Sequence, residues 1–132
     1  MRDDKRMTTL VGIAGGSGSG KTTLAHEIHR QARTDEVALI PIDSFYHSLR
    51  TDQRPEDINY DHPESLDFEL LQQCLEQLIE GRAAAVPTYD FATHLRTGTI
   101  LQVPAPLIVI EGILTLAHAG VRERLHLSVF VQ

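Results

Sequence analysis

The segment from Gly15 to Thr22 has the residue types and the spacing that bind phosphate groups. It reads Gly-Gly-Ser-Gly-Ser-Gly-Lys-Thr and fits the pattern G-x-x-x-x-G-K-[ST] without a mismatch. Glycines let the backbone curl until several N–H groups point at phosphate oxygens, and a helix that starts directly afterwards adds its positive end. Lys21 then reaches the β- and γ-phosphates, and the Thr22 hydroxyl can ligate Mg²⁺. The candidate phosphate-binding residues are Gly15, Gly16, Ser17, Gly18, Ser19, Gly20, Lys21 and Thr22.

A flexible Gly/Ser turn is the alternative interpretation of this segment. That interpretation leaves unexplained why Lys21 is one of only two lysines in the chain. It also ignores the context, because the motif follows an apolar run and precedes helical periodicity. We therefore expect a phosphate-binding loop between a buried strand and a helix.

Two acidic residues follow predicted strands at points where a ligand is expected. Asp43 follows an apolar run at 37–42, and Glu111 follows another at 106–110. In open parallel sheets, ligands bind beyond the carboxyl ends of the strands. Phosphoryl transfer needs a base beside the acceptor hydroxyl and an acid near Mg²⁺, which are the roles we expect for Asp43 and Glu111. The alternatives are a helix cap or Asx turn at Asp43 and a solvated acid at Glu111.

Most aromatic residues lie outside the predicted parallel strands and helices, in the long loop or in the segment 83–103. Five of the seven Phe and Tyr residues are in the long loop or in the segment 83–103, namely Phe45, Tyr46, Tyr60, Tyr89 and Phe91. The structural interpretation is that these rings anchor the loops on the core. The functional interpretation is a wall for a planar ligand, with His94 or Arg96 contacting the polar edge of that ligand. Asp61 could bind vicinal hydroxyls or cap a turn before Pro63.

These candidate residues require a framework of strands that alternate with helices. Short apolar runs predict parallel strands at 8–14, 37–42, 106–110 and 127–131. Pro41 indicates an edge strand or the end of a strand. The sequence therefore predicts an α/β fold, with a P-loop NTPase-type parallel sheet, flanking helices and an inserted β-hairpin.

Helical periodicity and turn residues locate the other elements. Helices are predicted at 21–33, from Phe68 to a stop at Gly81, and at 115–125. The apolar face of the second helix is predicted to be Phe68, Leu71, Leu75, Leu78 and Ile79. The segment 83–103 is predicted as a hairpin that turns at 97–99, and 43–63 as a long loop.

Composition narrows the class of protein. The chain has 132 residues, 42% of them hydrophobic, and a formal net charge of −6, which suits one domain with a core. The acidic balance argues against nucleic acid or an anionic membrane as a partner. No run approaches the roughly 18 apolar residues of a membrane span, and Cys74 is the only cysteine. We therefore expect a cytoplasmic protein. His26 and His29 lack the H-E-x-x-H spacing of a metal site and are expected to be solvated.

Several segments together resemble the uridine kinase (uridine–cytidine kinase) family of P-loop kinases. Beside the phosphate-binding segment, which extends to Thr23, they are Asp43-Ser44-Phe45-Tyr46, Asn59-Tyr60-Asp61-His62-Pro63, Val86-Pro87-Thr88-Tyr89-Asp90-Phe91, Thr93-His94-Leu95-Arg96 and Ile110-Glu111-Gly112-Ile113-Leu114. The segments occur in the family's order and cover nearly the whole chain from Thr8 onward. The Tyr-Asp-Phe and His-x-Arg pairing is the part most particular to nucleoside kinases.

The resemblance implies phosphorylation of uridine or cytidine at the 5′-hydroxyl, in pyrimidine ribonucleoside salvage, with ATP or GTP and Mg²⁺ as cofactors. It implies that Asp43 accepts the proton of the 5′-hydroxyl and that Lys21 neutralises charge on the phosphates. Thr22 and Thr23 belong to the nucleotide site. Glu111 is implied as the acid near Mg²⁺, acting directly or through water.

The same resemblance implies a nucleoside pocket. Asp61 holds the 2′- and 3′-hydroxyls of ribose, which would favour ribonucleosides over deoxyribonucleosides. Tyr89 packs on the pyrimidine, and His94 bonds its 4-substituent. Tyr46 and Arg96 occupy pocket positions without an assigned duty.

The sequence also departs from the family. Family members continue past the strand that ends at Gln132 with an arginine-rich lid, a further strand and closing helices, so the last strand and the lid are expected to be absent. Residues 1–7 are expected to be a disordered leader, and 8–132 an incomplete P-loop nucleoside kinase domain. His47 stands where the family more often has a basic residue. A homo-oligomer is left open, because family members commonly associate.

Two other functions remain open from the sequence. One is a P-loop kinase of another small acceptor, similar to pantothenate kinase or phosphoribulokinase, which should lack the pairing of Tyr89 with His94. The other is a catalytically silent nucleotide-binding module without a lid.

Overall fold

A parallel sheet and an antiparallel hairpin contain the strands of this protein. The structure, a computed structural model, describes residues 8–15, 21–31, 36–60 and 62–131. Its strands and helices in chain order are β1 (Thr9–Gly15), α1 (Lys21–Gln31), β2 (Val37–Pro41), α2 (Phe68–Ile79), β3 (Ala84–Asp90), β4 (Leu95–Gln102), β5 (Leu107–Glu111), α3 (Ala119–Arg122) and β6 (Leu127–Val131). Short 3-10 helices cover Ile42–Phe45, Pro55–Asp57 and Pro63–Ser65.

The parallel sheet has the strand order β2-β5-β1-β6 within the described residues. β5 pairs with β1 on one side and with β2 on the other. β5 therefore lies between the two strands that come first in the chain. β2 is an edge strand of this sheet, and Pro41 is its last residue. Both positions are typical of proline, which has no N–H to donate to a neighbouring strand. The prediction of an α/β fold with a parallel sheet and an inserted hairpin is confirmed.

Apolar side chains alternate between the two faces of the sheet. Leu10, Ile108 and Ile110 point to the face that packs on α2 and the hairpin, and all three are fully buried. Ile13 and Val109 point to the opposite face. Ile28 of α1 packs on that opposite face. Each buried aliphatic side chain of this size contributes about 1.5–3 kcal/mol relative to an exposed one, so both faces need a helical cover.

Helix α2 begins and ends as its sequence predicts. The Leu70 N–H donates to the Asp67 carboxylate at 3.0 Å, which caps the amino end. At the other end Gly81 takes a φ of +85°, and its N–H donates to the Leu78 carbonyl at 3.1 Å. The next N–H, of Arg82, donates to Gln77 at 2.8 Å, which completes a Schellman motif.

Three element predictions needed correction. Ile79 is 39% exposed rather than part of the buried face of α2, because it lies beside Leu78 at the edge of the apolar stripe. The third helix covers only Ala119–Arg122, since 113–116 form turns. The second strand ends at Pro41, one residue earlier than predicted. The predicted continuation of α1 past Gln31, and the leader at 1–7, lie outside the described residues.

The hairpin was predicted correctly, but its turn was not. β3 and β4 are joined by 91–94, and the predicted turn at 97–99 lies inside β4. The Asp90 carboxylate accepts from the Ala92 N–H at 2.8 Å, and the Asp90 carbonyl accepts from the His94 N–H at 2.8 Å. These bonds close the turn, and the one from Ala92 lowers the pKa of Asp90. Thr97 instead forms a bulge, because Thr88 pairs with Gly98 and Tyr89 pairs with Arg96.

No helix in the described part of the chain is both long and apolar enough to span a membrane.

Candidate active site

The carboxyl edge of the parallel sheet brings the two predicted acids close to the end of β1, where the candidate phosphate-binding segment begins. Glu111, the last residue of β5, is in register with Ile13 of β1 and with Pro41 of β2. It therefore lies between the strand that leads into the glycine-rich segment and the strand that leads to Asp43. Neighbouring strands are ~4.8 Å apart, so the three chain segments share one small region. A site built from these strand ends is the arrangement expected of open α/β sheets.

The candidate phosphate-binding motif is flanked by the strand and the helix that phosphate binding would require. Gly15 ends β1, and Lys21 begins α1, which also contains Thr22 and Thr23. The residues Gly16, Ser17, Gly18, Ser19 and Gly20 lie outside the described residues. The context is thus a buried strand, a short connection and the amino end of a helix, where backbone N–H groups and the helix dipole favour an anion.

Asp43 is presented by a short 3-10 helix, Ile42–Phe45. With three residues per turn, Ile42 and Phe45 fall on the same side of this helix, and both are buried in the core. Asp43 is on the other side and is exposed. Two buried apolar anchors therefore turn the carboxylate outward, at the carboxyl edge of the sheet.

The turn that carries Asp43 also depends on Gly112, a residue for which the sequence alone indicated no role. Its φ is +155°, and a Cβ at this position would lie 1.9 Å from Cγ2 of Ile42. The Gly112 N–H also donates to the Ile13 carbonyl at 3.1 Å, which extends the pairing of β5 with β1. Any side chain here would displace Ile42, and with it the turn of Asp43. A glycine directly after a predicted strand is the signal that could have identified this close approach.

Four rings from separate parts of the chain form a cluster, which we call the aromatic cluster: Tyr46, Tyr60, Tyr89 and Phe91. Tyr46 lies at its centre, with ring centroids 4.8 Å from Tyr60, 5.6 Å from Tyr89 and 6.2 Å from Phe91. His94 stacks on Tyr60 at 5.6 Å. Phe45 and Tyr46 both belong to the hydrophobic core, and Tyr60 and Tyr89 pack against it, which agrees with the structural interpretation of these four aromatics. Phe91 is 56% exposed.

Polar atoms of the aromatic cluster bond to one another. The Tyr60 hydroxyl lies 2.6 Å from Nδ1 of His94 and 3.3 Å from the Tyr89 hydroxyl. The Tyr46 hydroxyl donates to the Tyr60 carbonyl at 2.9 Å. Burial, and then the hydrogen bond with Tyr60, raise the pKa of Tyr89 well above its ordinary value. Tyr89 is therefore a neutral phenol at physiological pH.

His94 is held in an uncommon backbone conformation. Its φ is +60°, the left-handed region, and among the described non-glycine residues no other φ is positive. Its carbonyl accepts from the Leu49 N–H at 2.8 Å, which attaches the segment after Asp43 to the hairpin turn. Strained residues of this kind persist only where neighbouring contacts hold them, and they are common at functional sites.

Arg96 lies beside the aromatic cluster, and its guanidinium contacts backbone carbonyls and a carboxylate. Nε donates to the Tyr46 carbonyl at 3.0 Å, and Nη2 donates to the Phe45 carbonyl at 3.2 Å. Nη2 also bonds Oδ2 of Asp67 at 3.1 Å. Asp67 had no predicted role in the site, although its position directly before the periodic helix α2 is typical of a helix cap.

Residues of the segments 47–60 and 62–65 line a cavity of about 680 Å³. Asp61 itself lies outside the described residues, but Asn59 and His62 on either side of it line the cavity. His47 lines it too. The volume is in the range of pockets that hold small ligands.

The described residues contain no cluster of three or more His, Cys, Asp or Glu side chains that could hold a metal ion. Mg²⁺ bound with a nucleotide does not need such a cluster, because phosphates and water supply most of its ligands. Glu111 and the Thr22 hydroxyl are oxygen donors of the type that Mg²⁺ prefers.

The profile of the "Phosphoribulokinase / Uridine kinase family" matches residues 10–132. The chain belongs to this family. The resemblance inferred from separate motifs is thus confirmed over nearly the whole sequence.

Curated members of the phosphoribulokinase/uridine kinase family include close relatives of this chain. A uridine kinase from Lactobacillus johnsonii is 44% identical over 126 residues, which are 92% of this chain and 60% of that protein. A uridine kinase from Staphylococcus aureus is 42% identical over 130 residues, which are 96% of this chain and 62% of that protein. The chain thus spans about three fifths of the length of these relatives.

A solved structure of the family supports the fold. The structure of a possible uridine kinase from Bacillus stearothermophilus superposes with a TM-score of 0.72 at 25% identity. The superposed region covers 94% of this chain and 70% of the chain in that structure. The α/β architecture described above is therefore the family's architecture.

Proposed function

We propose that this protein phosphorylates uridine and cytidine at the 5′-hydroxyl, with ATP or GTP as donor and Mg²⁺, in pyrimidine ribonucleoside salvage in the cytoplasm. The observation that carries the proposal is the position of β5 between β1 and β2. This order puts Glu111 and the turn of Asp43 at the edge where the phosphate-binding segment begins. Family membership and the names of the curated relatives support the same activity. Residues 8–132 are proposed to form this kinase domain.

The donor side of the proposed site consists of the phosphate-binding segment and Glu111. Backbone N–H groups of 15–20 and the amino end of α1 would hold the phosphates, with Lys21, Thr22 and Thr23 at the start of that helix. A magnesium-bound nucleotide would supply the phosphoryl group, and the ion would neutralise part of the charge on the phosphates. Thr22 and Glu111 are the residues that would hold the ion, Glu111 directly or through water.

The acceptor side depends on Asp43. Its carboxylate would accept the 5′-hydroxyl proton as the 5′-oxygen bonds to the γ-phosphorus and the bond to the β-phosphate oxygen breaks. The products are the nucleoside 5′-monophosphate and ADP or GDP. Asp43 is suited to this role because its 3-10 helix turns it outward at the edge of the sheet. A general base of this kind contributes roughly 10²–10⁴-fold to the rate.

The nucleoside would lie between Asp43 and the hairpin. Tyr89 is proposed to pack on the pyrimidine, and His94 to bond its 4-substituent. Asp61 is proposed to hold the ribose hydroxyls, since its neighbours Asn59 and His62 line the cavity. Tyr46 supports this pocket, because its ring contacts both Tyr60 and Tyr89.

Uridine-dependent formation of ADP from ATP tests the proposal. The 132-residue chain and a form extended through the downstream reading frame should be compared, each with and without uridine. ADP formation that requires uridine, in either form, supports the proposal. If only the extended form is active, residues in the added portion are also required for activity. No uridine-dependent ADP in either form would contradict the proposed activity.

Competition between acceptors distinguishes the proposal from kinases of other small molecules. Uridine and cytidine should inhibit each other's phosphorylation, and pantothenate or ribulose 5-phosphate should not compete with them. Preferential phosphorylation of one of those other acceptors would favour the alternative kinases. Nucleotide binding without phosphorylation of any acceptor would favour a silent nucleotide-binding module.

A further inference from the structure

Arg96 connects the hairpin to the turn that carries Asp43. We propose that Arg96 is a positioning residue for the base, acting through the carbonyls of Phe45 and Tyr46 rather than as a ligand of the nucleoside. The inference rests on the proposed function, since it assumes that Asp43 is the base. It assigns a duty to a residue for which sequence analysis had only a pocket position.

The contacts of Arg96 are made at the carboxyl end of the 3-10 helix Ile42–Phe45. The last carbonyls of a helix have no partner within the helix and must find one elsewhere. Here the Phe45 carbonyl accepts from the Asp67 N–H at 2.8 Å and from Nη2 of Arg96 at 3.2 Å. The Tyr46 carbonyl accepts from Nε of Arg96 at 3.0 Å. One side chain thus contacts two consecutive carbonyls, which lie two and three residues after Asp43.

Asp67 fixes the guanidinium in turn. Its Oδ2 bonds Nη2 of Arg96 at 3.1 Å, and its Oδ1 accepts from the Leu70 N–H at the start of α2. The side chains of Arg96 and Asp67 are only 27% and 23% exposed, so water screens this ion pair less than a surface pair. The turn of Asp43 is thereby tied both to β4 and to the amino end of α2.

Two further hydrogen bonds connect the loop after Asp43 to the hairpin near Arg96. The Arg96 N–H donates to the Ser48 hydroxyl at 2.9 Å, and the Leu49 N–H donates to the His94 carbonyl at 2.8 Å. The segment 45–49 is therefore attached along the hairpin. Among these contacts of the described residues to 45–49, Arg96 supplies the only charged side chain, and its Nη2 shares the Phe45 carbonyl with the Asp67 N–H.

Arginine suits this position better than lysine would. The guanidinium is planar and presents several N–H donors in a fixed fork, so it can bond both carbonyls and the Asp67 carboxylate together. A lysine ammonium is a point charge on a flexible stem and would keep the ion pair while losing the planar fork. Both Nε and Nη2 are used in these contacts, which argues against a primary role in binding the nucleoside.

Steady-state kinetics of Arg96→Lys and Arg96→Met test the inference. We expect kcat to fall about 10-fold to 100-fold in Arg96→Met and less in Arg96→Lys, because small displacements of a catalytic group are this costly. The KM for uridine should change less than about threefold, since contacts made only in the transition state affect kcat. Hydrogen exchange of the peptide that covers 42–49 should be faster in Arg96→Met.

Arg124 provides a matched control. Its guanidinium also bonds several partners, namely Gln72, the Gly120 carbonyl and Glu76, and it is 30% exposed. It joins α2 to the end of α3, away from the aromatic cluster. Arg124→Met should change stability to a similar extent while leaving kcat and the exchange of 42–49 unchanged.

The outcomes separate the inference from the proposed function. An active protein whose kcat is unaffected by Arg96→Met overturns the inference alone. A rise in the uridine KM with unchanged kcat also overturns it and makes Arg96 a ligand of the nucleoside. Equal losses of kcat in Arg96→Met and Arg124→Met would also overturn the inference, because they would show that Arg96 affects kcat only through the stability of the fold. If the unsubstituted protein does not phosphorylate uridine, the proposed function fails first and the inference fails with it. Should Arg96→Met not fold, Arg96→Lys decides among the same outcomes.

Discussion

Tyr60 places its hydroxyl oxygen 2.6 Å from Nδ1 of His94, and the two rings stack with their centroids 5.6 Å apart. Tyr60 comes from the long loop and His94 from the hairpin turn, so this contact joins the two halves of the proposed nucleoside pocket. A hydroxyl both donates and accepts, so either tautomer of His94 keeps the bond. The other ring nitrogen then donates in one tautomer and accepts in the other, which suits both a 4-carbonyl and a 4-amino group.

Tyr60→Phe is therefore expected to weaken nucleoside binding. Without this bond, His94 is no longer held toward the base. If the weakened contact costs about 0.5–1.5 kcal/mol, the Kd for uridine and for cytidine rises roughly 2-fold to 12-fold. Titration calorimetry measures both values. Thr97→Val is the control, because it removes a hydrogen bond with Thr88 elsewhere on the same hairpin. Equal affinities of Tyr60→Phe and the unsubstituted protein would exclude His94 from base recognition through this contact.

Asp43→Asn is expected to lower kcat by about 10²–10⁴-fold, because the amide cannot accept the 5′-hydroxyl proton. The Kd for uridine should stay within about twofold, since the amide has nearly the same size and the turn is anchored by buried Ile42 and Phe45. Initial rates and calorimetry give the two quantities. Asp52→Asn, which changes an exposed carboxylate paired with Arg50, serves as the control. Full turnover by Asp43→Asn would mean that another group is the base.

Asp61→Ala is expected to weaken uridine binding by removing the carboxylate that holds the ribose hydroxyls. Hydrogen bonds to a charged group are worth about 1.5–3 kcal/mol, so the Kd should rise at least tenfold. Deoxyuridine, which lacks the 2′-hydroxyl, should lose less affinity than uridine in this variant. Asp57→Ala is the control, since Asp57 lines the cavity together with Asn59 and His62 but pairs with Arg54. Unchanged affinity for uridine would show that the ribose lies elsewhere.

The sequence was sufficient for the features of the site that depend on local pattern. The positions of Asp43 and Glu111 at the carboxyl ends of two strands could be predicted because apolar runs define parallel strands, and such strands share a carboxyl edge. The exact end of β2, at Pro41, was predicted one residue too late. The motif at Gly15 to Thr22 has its own signature. The distribution of aromatic residues suggested a shared wall that includes Tyr46 and Tyr89, with His94 or Arg96 at its polar edge, and resemblance to the family assigned these residues to the nucleoside pocket. The structure brings Tyr46, Tyr89 and His94 together through Tyr60.

Features that depend on distant contacts could not be predicted. Arg96 lies 51 residues from Phe45 in sequence, and no local pattern says that its guanidinium bonds that carbonyl. The hairpin turn was misplaced because Thr97-Gly98-Thr99 has turn composition, while the actual turn is closed by bonds to Asp90 and by the left-handed backbone of His94. Turn composition alone does not distinguish a turn from a bulge.

Tyr89 is expected to stay protonated in the folded protein at pH values where an ordinary tyrosine ionises. Its folded-state pKa lies above the unfolded value near 10, so its contribution to stability is complete below about pH 10 and is lost as the pH rises further. Near-ultraviolet absorbance of phenolate measures the titration. Between about pH 9 and 11, the phenolate absorbance of folded Tyr89→Phe should match that of the folded unsubstituted protein. In the unfolded chain, the same substitution should lower the total rise in phenolate absorbance by about a third, since the chain has three tyrosines. A smaller native amplitude in that range would show that Tyr89 ionises normally.

Gly112→Ala is expected to destabilise the fold and displace the base together. The new Cβ would lie 1.9 Å from Cγ2 of Ile42, so the buried anchor next to Asp43 must move. Overpacking and the unfavourable φ should lower the free energy of unfolding by about 2–4 kcal/mol, measured by urea denaturation. Gly98→Ala is the matched control, because Gly98 has a similar φ of +151° but its nearest neighbour, Oγ1 of Thr88, is 3.9 Å away. It should lose only about 1 kcal/mol. Equal losses in the two variants would mean that backbone conformation, rather than the contact with Ile42, requires glycine at position 112.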